Sequence, residues 1–371
     1  MPEIRVQRLI NQQLVQPSYT NPAEVVRWFG AIQAQDFLGS LWAIGCRLPG
    51  TTEDSIEQAI LDRTILRTWP MRGTIHFVPS KDAQWMVNLT APRQIERAQG
   101  RYRKLGLTED IFTRARKIFI KALEGENRRT RGELYALLEA GGIATENSRG
   151  LHIIGHLAQE GLICFGPRSG KQPTFVLLEE WAPNTRILHR EESLAGLALR
   201  YFLSHGPATI RDFVWWTGLK VADAQAGLEA VKSYLIHESI DGSTYWWGEL
   251  NQTVSAEQTS FHLLPAYDEY MVGYKDRSAI LNPRNKWLLE PENHLRSILL
   301  IDGKASGTWK RTFQKDEVVI EATLTRDLAG HEKERFLATA QRYGKFLGKP
   351  VILKRARIKG GFRIGLAYPG S

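Results

Sequence analysis

The sequence predicts an α+β fold of tandem winged-helix (helix-turn-helix) units followed by a small β-rich C-terminal domain. A unit of amphipathic helices followed by two short strands recurs along the chain. The 371 residues exceed the usual span of one hydrophobic core. From about residue 263 the pattern changes to strands with one amphipathic helix. We therefore expect several packed units and a separate β-rich end.

The clearest unit covers residues 91–185. In its second helix, Thr130 is placed to cap the N-terminus, and Glu133 stands three residues on, as in a capping box. A further helix is predicted near residues 148–159, and it runs into two apolar strands. The turn between these strands carries Arg168 and Lys171, which predicts a basic wing.

The same order of elements recurs on either side of this unit. Residues 186–262 repeat it and end in a hairpin whose turn is Asp241-Gly242, a pair typical of two-residue turns. The N-terminal segment reads as a degenerate first copy. Four domains are therefore predicted, at residues 1–90, 91–185, 186–262 and 263–371.

Composition and missing motifs limit the function classes. The chain has 49 Lys and Arg against 40 Asp and Glu, and the net charge of +9 favours polyanionic partners, although charge alone is a weak argument. Cys46 and Cys164 match no metal-binding spacing and are expected to be buried. The sequence lacks a signal peptide, an apolar membrane span and the common metal-hydrolase, nucleotide-hydrolase and deaminase motifs. We expect a cytoplasmic, nucleoid-associated protein without metal, cofactor or membrane partner.

The tripeptide Gln33-Ala34-Gln35 follows an apolar-periodic helix in which Val25, Phe29 and Ile32 share one face. Residues i and i+2 of an α-helix point to different sides. Both glutamines can face one cleft only if the helix ends near Ile32. The backbone from Gln33 to Gln35 is then expected to be extended or turning.

Four fragments of the chain resemble the AlkZ-like winged-helix DNA glycosylases. They are Gln33-Ala34-Gln35, residues 69–77, residues 263–270 continuing to 273–277, and Gly307-Thr308-Trp309. The resemblance spans most of the chain. It implies tandem winged helices and a terminal, barrel-like β domain that form a C-shaped DNA cleft, with the glutamine pair at its centre. Glutamine at both positions matches the AlkZ-like branch, because the related crosslink-repair branch has an acidic residue at the second.

The resemblance makes Gln33 and Gln35 candidate catalytic residues of a monofunctional DNA glycosylase. A glutamine amide does not take up a proton, but its carbonyl oxygen can orient a water molecule. That suffices for a leaving group that is already cationic, such as an N7- or N3-alkylated purine. Asp268 and Glu269 are candidate carboxylates for stabilising the oxocarbenium-like sugar or activating water. Each can equally form a structural salt bridge with Arg277 or Lys275.

The predicted partner is duplex DNA carrying damage, bound by a monomer. Arg72 and His76 lie where the hairpin of the first unit would pass the cleft, although either can be structural. Basic residues at helical spacing, in turns and near the C-terminus suit phosphate contacts. The predicted DNA-binding set is Arg72, His76, Arg93, Arg97, Arg101, Arg168, Lys171, Lys275, Arg277, Lys304, Lys354 and Arg355.

Two aromatic pairs, Trp215-Trp216 and Trp246-Trp247, can in principle stack on bases, but tryptophans within periodic segments are more often core residues. Two other function classes also fit the sequence. One is a non-catalytic winged-helix DNA-binding protein or regulator, which would bind undamaged DNA, usually as a symmetric dimer. The other is a protein that sequesters a DNA-damaging compound or its adduct without cutting.

Overall fold

The computed structural model describes residues 2–249, 260–289, 296–354 and 356–359. It is a mixed α+β structure, as predicted. The N-terminal elements are α1 (Pro2–Asn11), α2 (Pro22–Phe29), β1 (Ile32–Gln33), α3 (Phe37–Gly45), α4 (Glu53–Leu61), β2 (Ile65–Met71) and β3 (Thr74–Pro79). Local capping sets the start of α2, where the Asn21 side chain accepts a hydrogen bond from the Glu24 N–H.

The next segment has four helices of ten or more residues ahead of a β-hairpin. Its elements are α5 (Ala83–Lys104), α6 (Glu109–Leu123), β4 (Arg129–Thr130), α7 (Arg131–Ala140), α8 (Arg149–Gln159), β5 (Ile163–Ser169), β6 (Gln172–Leu177) and α9 (Leu178–Trp181). The predicted capping box is confirmed, because Thr130 and Glu133 cap each other's backbone N–H at the start of α7. The helix predicted near residues 148–159 is α8.

The third segment has three helices and a hairpin, in the same order as α6, α7, α8, β5 and β6. Its elements are α10 (Arg190–His205), α11 (Ile210–Thr217), α12 (Val221–Val231), β7 (Ile236–Ile240) and β8 (Ser243–Trp247). β7 and β8 pair antiparallel, and Asp241 and Gly242 join them with φ values of 49° and 74°. The predicted Asp-Gly turn is therefore confirmed.

The C-terminal segment is dominated by one sheet with a long helix against it. Its elements are β9 (Phe261–Leu264), α13 (Glu269–Val272), β10 (Ile298–Ile301), β11 (Lys304–Phe313), β12 (Val318–Leu324), α14 (Gly330–Leu347), β13 (Val351–Leu353) and β14 (Arg357–Ile358). The strand order is β13-β12-β11-β10-β9, with β14 also paired to β12. The sheet curls into a half-barrel. Short 3₁₀ turns lie at Ser80–Asp82, Lys232–Tyr234 and Pro283–Leu289.

The strands of the first two segments form one six-stranded sheet in the order β1-β3-β2-β5-β6-β4. The hairpins meet where β2 pairs with β5, at Arg67 opposite Phe165. β1, which carries Gln33, is therefore an edge strand and pairs only with β3 among the described strands. Its outer side is left available for contacts from other parts of the chain.

The hydrophobic residues form two clusters. The smaller cluster lies within the second segment, around residues such as Phe119 and Ile153. The larger one combines residues of the N-terminal, third and C-terminal segments, for example Phe29, Phe202 and Leu263. Both cysteines are buried and free, as expected. Within the described ranges, no helix is long and apolar enough to cross a membrane.

A buried ion pair joins the N-terminal and C-terminal segments inside the larger cluster. The Arg47 guanidinium donates to both carboxylate oxygens of Asp268, at 2.7 and 2.8 Å, and the two side chains are 1% and 0% exposed. Arg47 also donates to the Gln12 carbonyl and side-chain oxygens. These bonds compensate the cost of burying the two charges.

Replacing Asp268 with alanine leaves a buried guanidinium without its counter-charge. We expect Asp268→Ala to lower the free energy of unfolding by about 3–5 kcal/mol, measured by urea denaturation with tryptophan fluorescence. Asp316→Ala is the control because Asp316 is exposed, and its effect should stay within about 0.5 kcal/mol. Equal denaturation midpoints for the two variants would contradict the assigned ion pair.

Candidate active site

The helix before the glutamine pair ends at Phe29 rather than near Ile32. Gly30 takes a φ of 78° and its N–H donates to the Val26 carbonyl, which closes α2. The chain then enters β1, where Gln33 lies opposite His76 of β3. The Ala34 N–H continues the pairing with a 2.7 Å bond to the Ile75 carbonyl. The prediction that this stretch is extended or turning is therefore confirmed.

The two glutamines flank buried Ala34 but differ in accessibility. Gln33 is 8% exposed, and its Oε1 lies 3.4 Å from the Arg72 guanidinium, which donates to it. Gln35 is exposed, and its Oε1 accepts the Ile75 N–H at 3.2 Å. Gln33 is thus fixed within a polar network, and Gln35 stands at the surface beside it.

Glu269 holds the backbone of Gln33 in place. Its Oε1 accepts the Gln33 N–H at 2.7 Å, and its Oε2 accepts the Trp216 indole N–H at 2.9 Å. The same Oε2 lies 3.3 Å from His205 Nε2, and Glu269 is fully buried. Burial alone would raise the pKa of this carboxyl group. The hydrogen bond from His205, followed by the electrostatic effects of His205, His76 and Arg72, outweighs burial and lowers the pKa, so Glu269 is ionised at neutral pH.

His205 is a neutral partner of this carboxylate. Burial lowers its pKa against the opposing effect of Glu269. The tautomer with a proton on Nε2 donates to Glu269, while Nδ1 faces Ser204 Oγ at 2.8 Å. Donors from the N-terminal segment and the third segment therefore converge on one carboxylate of the C-terminal segment.

Arg72 and His76 form the opposite side of the network. Arg72 occupies the turn between β2 and β3 with a φ of 54°, followed by Gly73 at 68°. Its guanidinium lies 3.3 Å from His76 Nε2, and His76 Nδ1 bonds to the Thr74 carbonyl at 3.0 Å. Burial, followed by the charge of Arg72, lowers the pKa of His76 to about 3. The neutral imidazole can therefore accept a hydrogen bond from Arg72.

The burial of His76 corrects one expectation from the sequence. His76 is 0% exposed, so it is not placed to touch DNA directly in this structure. It supports Arg72, which lies next to Gln33. Burial also lowers the pKa of Arg72.

Asp268 is also placed differently from the expectation. Both of its oxygens are occupied by Arg47 beneath the surface, so its position is structural and contradicts a catalytic role. The expected salt bridge of Asp268 or Glu269 with Arg277 or Lys275 is wrong. Arg277 instead donates to the Met271 carbonyl at 2.6 Å, and Lys275 is exposed.

A basic pocket of about 590 Å³ adjoins Gln33 through Arg72. It brings together four of the predicted DNA-binding residues, Arg72, Arg93, Arg97 and Lys275. It also contains Arg211, which sequence reasoning missed, and Trp215, which was expected to be core but is 44% exposed. Its neighbour Trp216 is fully buried, as expected. Consecutive helical residues face different directions, and this was the signal in the sequence that only one of the pair could be core.

The other predicted DNA-binding residues on the first two segments are not equivalent. Arg101 and Lys171 are exposed. Arg168 is ion-paired with Glu57, and its guanidinium lies 3.7 Å from Glu53. This corrects the prediction that Arg168 is a free phosphate-binding group on a wing, because acidic side chains of the protein already neutralise it.

The predicted C-terminal cations lie on the half-barrel. Lys304 is exposed at the start of β11 and borders a separate pocket of about 300 Å³. Lys354 is exposed and pairs with Glu321 at 2.8 Å. Arg355 lies outside the described residues. Across the described ranges, no group of three or more histidine, cysteine or acidic side chains could hold a metal ion.

Comparisons with known proteins agree on one family. The family described as DNA glycosylase AlkZ-like matches residues 26–346. A relative from Streptomyces sahachiroi, described as an interstrand DNA cross-link repair glycosylase, is 23% identical over 330 residues, covering 82% of this chain and 85% of the relative. The solved structure of the Streptomyces sahachiroi DNA glycosylase AlkZ superposes with a TM-score of 0.78 at 21% identity. That match covers 95% of this chain and 99% of the solved one, and it shows that the fold is similar.

The buried His76 predicts a pH dependence of stability. Its pKa is about 3 when folded against 6.5 ordinarily. Below pH 6.5 the unfolded chain therefore binds a proton that the folded chain does not, and stability falls as the pH falls, by about 1.4 kcal/mol per pH unit. Between pH 7 and 5 this amounts to about 2 kcal/mol.

Urea denaturation of the wild type and His76→Gln at pH 7 and 5 measures this contribution. We expect His76→Gln to lose less stability than the wild type over this interval, by about 2 kcal/mol. The same decline in both proteins would show that His76 titrates at its ordinary pKa and is not held neutral.

Proposed function

The chain belongs to the AlkZ-like DNA glycosylase family, and we propose that it hydrolyses the N-glycosidic bond of cationic N7- or N3-alkylated purines in duplex DNA. Gln33 and Gln35 orient the attacking water. The observation that carries this proposal is the position of Gln33, whose backbone N–H is bound by Glu269 and whose side-chain oxygen is bound by Arg72. A glutamine held at both points is oriented before substrate arrives.

The protonation states of the site suit a cationic leaving group. The amide side chains of Gln33 and Gln35 cannot act as proton donors in acid catalysis. His76 and His205 are held neutral by burial. No group in this network is therefore suited to protonate a neutral base at physiological pH. A purine alkylated at N7 or N3 already carries positive charge and leaves without protonation. The network thus favours damaged bases over undamaged ones.

Glu269 contributes without touching the sugar. Its oxygens are occupied by Gln33, Trp216 and His205, so it acts through Gln33 as a positioning residue. Its ionised carboxylate also places a fixed negative charge beneath the site, where it favours the oxocarbenium-like transition state. We therefore keep Glu269 in the mechanism and leave Asp268 out.

DNA binding is proposed to use tandem winged helices in a C-shaped arrangement, with the protein acting as a monomer and as a monofunctional glycosylase. The three helices and hairpin formed by α6, α7, α8, β5 and β6 recur as α10, α11, α12, β7 and β8, which supports repeated winged-helix units. Along α5, Arg93, Arg97 and Arg101 follow one another at four-residue spacing and suit phosphate contacts.

Interstrand crosslinks are included among the proposed substrates. The relative from Streptomyces sahachiroi is described as a cross-link repair glycosylase. A crosslink through N7 of a purine gives the same cationic leaving group as a simple alkyl lesion. The chemistry proposed for Gln33 and Gln35 is therefore the same for both.

Replacing either glutamine removes the oxygen that orients water. We expect Gln33→Ala and Gln35→Ala to lower single-turnover release of N7-methylguanine by about a hundredfold or more, while both variants still bind the DNA. Mass spectrometry of bases released from methylated and crosslinked duplexes measures the effect. Gln225→Ala, at an exposed position on α12, is the control and should act as the wild type.

The same assay separates the enzyme from a DNA-binding protein without catalysis. Binding of undamaged DNA with no base released from any cationic lesion by the wild type would overturn the proposed function. Release that persists in both glutamine variants would instead overturn the roles given to Gln33 and Gln35.

A further inference from the structure

We propose that the basic pocket beside Gln33 receives a nucleotide that carries a simple alkyl lesion and is turned out of the duplex, with its base on Trp215 and its flanking phosphates on Arg93 and Arg97. The inference rests on the proposed function, because an excised base must reach the site. It adds a binding site for the reacting nucleotide and names the side chains that hold it.

The apolar part of the pocket is built around an exposed aromatic ring. Trp215 is 44% exposed, and its indole N–H donates to the Val272 carbonyl at 3.1 Å, which fixes the ring. Ile210, Val214 and Leu219 lie around it in the same pocket. A fixed, exposed indole among aliphatic side chains suits a flat aromatic ligand, because nucleobases stack on such rings regardless of sequence.

The charged part of the pocket is entirely cationic. Its basic lining residues are Arg72, Arg93, Arg97, Arg211 and Lys275, and none of the lining residues is acidic. The Nε groups of Arg72 and Arg93 are buried without a hydrogen-bond partner. A buried donor without an acceptor is costly. A phosphate supplies several acceptor oxygens and negative charge, and therefore fits both features.

The pocket is joined to the catalytic glutamine by two short connections. Arg72 lines the pocket and also donates to the Gln33 side chain at 3.4 Å. In α11, Trp215 lines the pocket and the next residue, Trp216, donates to Glu269. Arg72 therefore borders both the pocket and Gln33.

Glycine at position 218 permits the close approach of the end of α11 to Arg72. Gly218 ends α11 with a φ of 72°, and a Cβ there would meet the Arg72 side chain at 3.1 Å. The volume of about 590 Å³ also lies within the usual range for small-ligand sites. The pocket thus has the size, aromatic surface and charge needed for one nucleotide.

The test uses a duplex that contains 2′-fluoro-N7-methylguanosine, whose glycosidic bond resists cleavage, next to the fluorescent base 2-aminopurine. When the lesion leaves the stack, its neighbour brightens. We expect brightening with the wild type and with Trp215→Phe, which keeps an aromatic face. Trp215→Ala should brighten the probe several-fold less, and should release N7-methylguanine from a cleavable duplex about tenfold to hundredfold more slowly.

Tyr234→Ala is the matched control, because Tyr234 is an aromatic residue of the same segment that is 71% exposed and does not line this pocket. It should behave as the wild type in both assays. Urea denaturation shows that each variant is folded. Wild-type brightening and wild-type release by Trp215→Ala would overturn the pocket and leave the glycosylase proposal intact.

The failure of the proposed function has a different signature. If the wild type releases no base from the cleavable duplex, yet the fluorescence depends on Trp215 as described, the pocket stands and the catalytic proposal fails. If the duplex binds with no brightening for any protein, the pocket holds phosphates alone and the inference is wrong.

Discussion

A single buried carboxylate, on Glu269, organises the candidate site. It accepts hydrogen bonds from the Gln33 backbone in the N-terminal segment and from the Trp216 side chain in the third segment, and it contacts His205 at the end of α10. A buried charge is tolerated only when hydrogen-bonding partners surround it. The three segments must therefore fold together for the carboxylate to be satisfied. The adjacent Arg47–Asp268 pair reinforces the same junction from the other side.

This junction lies between two regions that differ in their electrostatic properties. Close to Gln33, burial keeps the two histidines neutral, while hydrogen bonding keeps Glu269 ionised despite its burial, and both effects suit the positively charged transition state of the proposed reaction. Further out, the basic pocket carries the cations that we propose to bind the phosphates of DNA. Arg72 lies at the border of the two regions, with contacts to Gln33 and His76 and a face in the pocket. In the proposed function, positive charge therefore faces the DNA backbone and negative charge lies beneath the reacting sugar.

Local signals in the sequence predicted local structure well. The capping box at Thr130 and the Asp241-Gly242 turn each depend on a few neighbouring residues, and both are confirmed, whereas the helix before Gln33 ends at Phe29 and not near Ile32 as predicted. The glutamine pair was found by resemblance, and its extended backbone followed from helix geometry. Four of the predicted DNA-binding cations line one pocket, a grouping that the sequence did not predict.

Contacts between distant segments were not predictable in this way. Glu269 and Gln33 are 236 residues apart, and the Asp268 partner, Arg47, is 221 residues away. No periodicity or spacing connects such pairs. From the sequence, Arg168 was predicted to lie on an exposed basic wing. Its partner, Glu57, lies on a helix 111 residues earlier, and no local pattern connects the two residues. The tertiary fold decides which side chains meet. It therefore also decides which basic side chains remain unpaired and can bind DNA.

The most direct test of the account is the single-turnover excision rate of Glu269→Gln on a duplex with N7-methylguanine. An amide has one accepting oxygen and one donating nitrogen, so it opposes either the Gln33 N–H or the Trp216 N–H, and Gln33 shifts. We expect a rate about a hundredfold below that of the wild type. Circular dichroism shows whether the variant is folded, and Glu334→Gln, at an exposed position on α14, is the control. Excision by folded Glu269→Gln at the wild-type rate would contradict the claim that this carboxylate positions the catalytic glutamine.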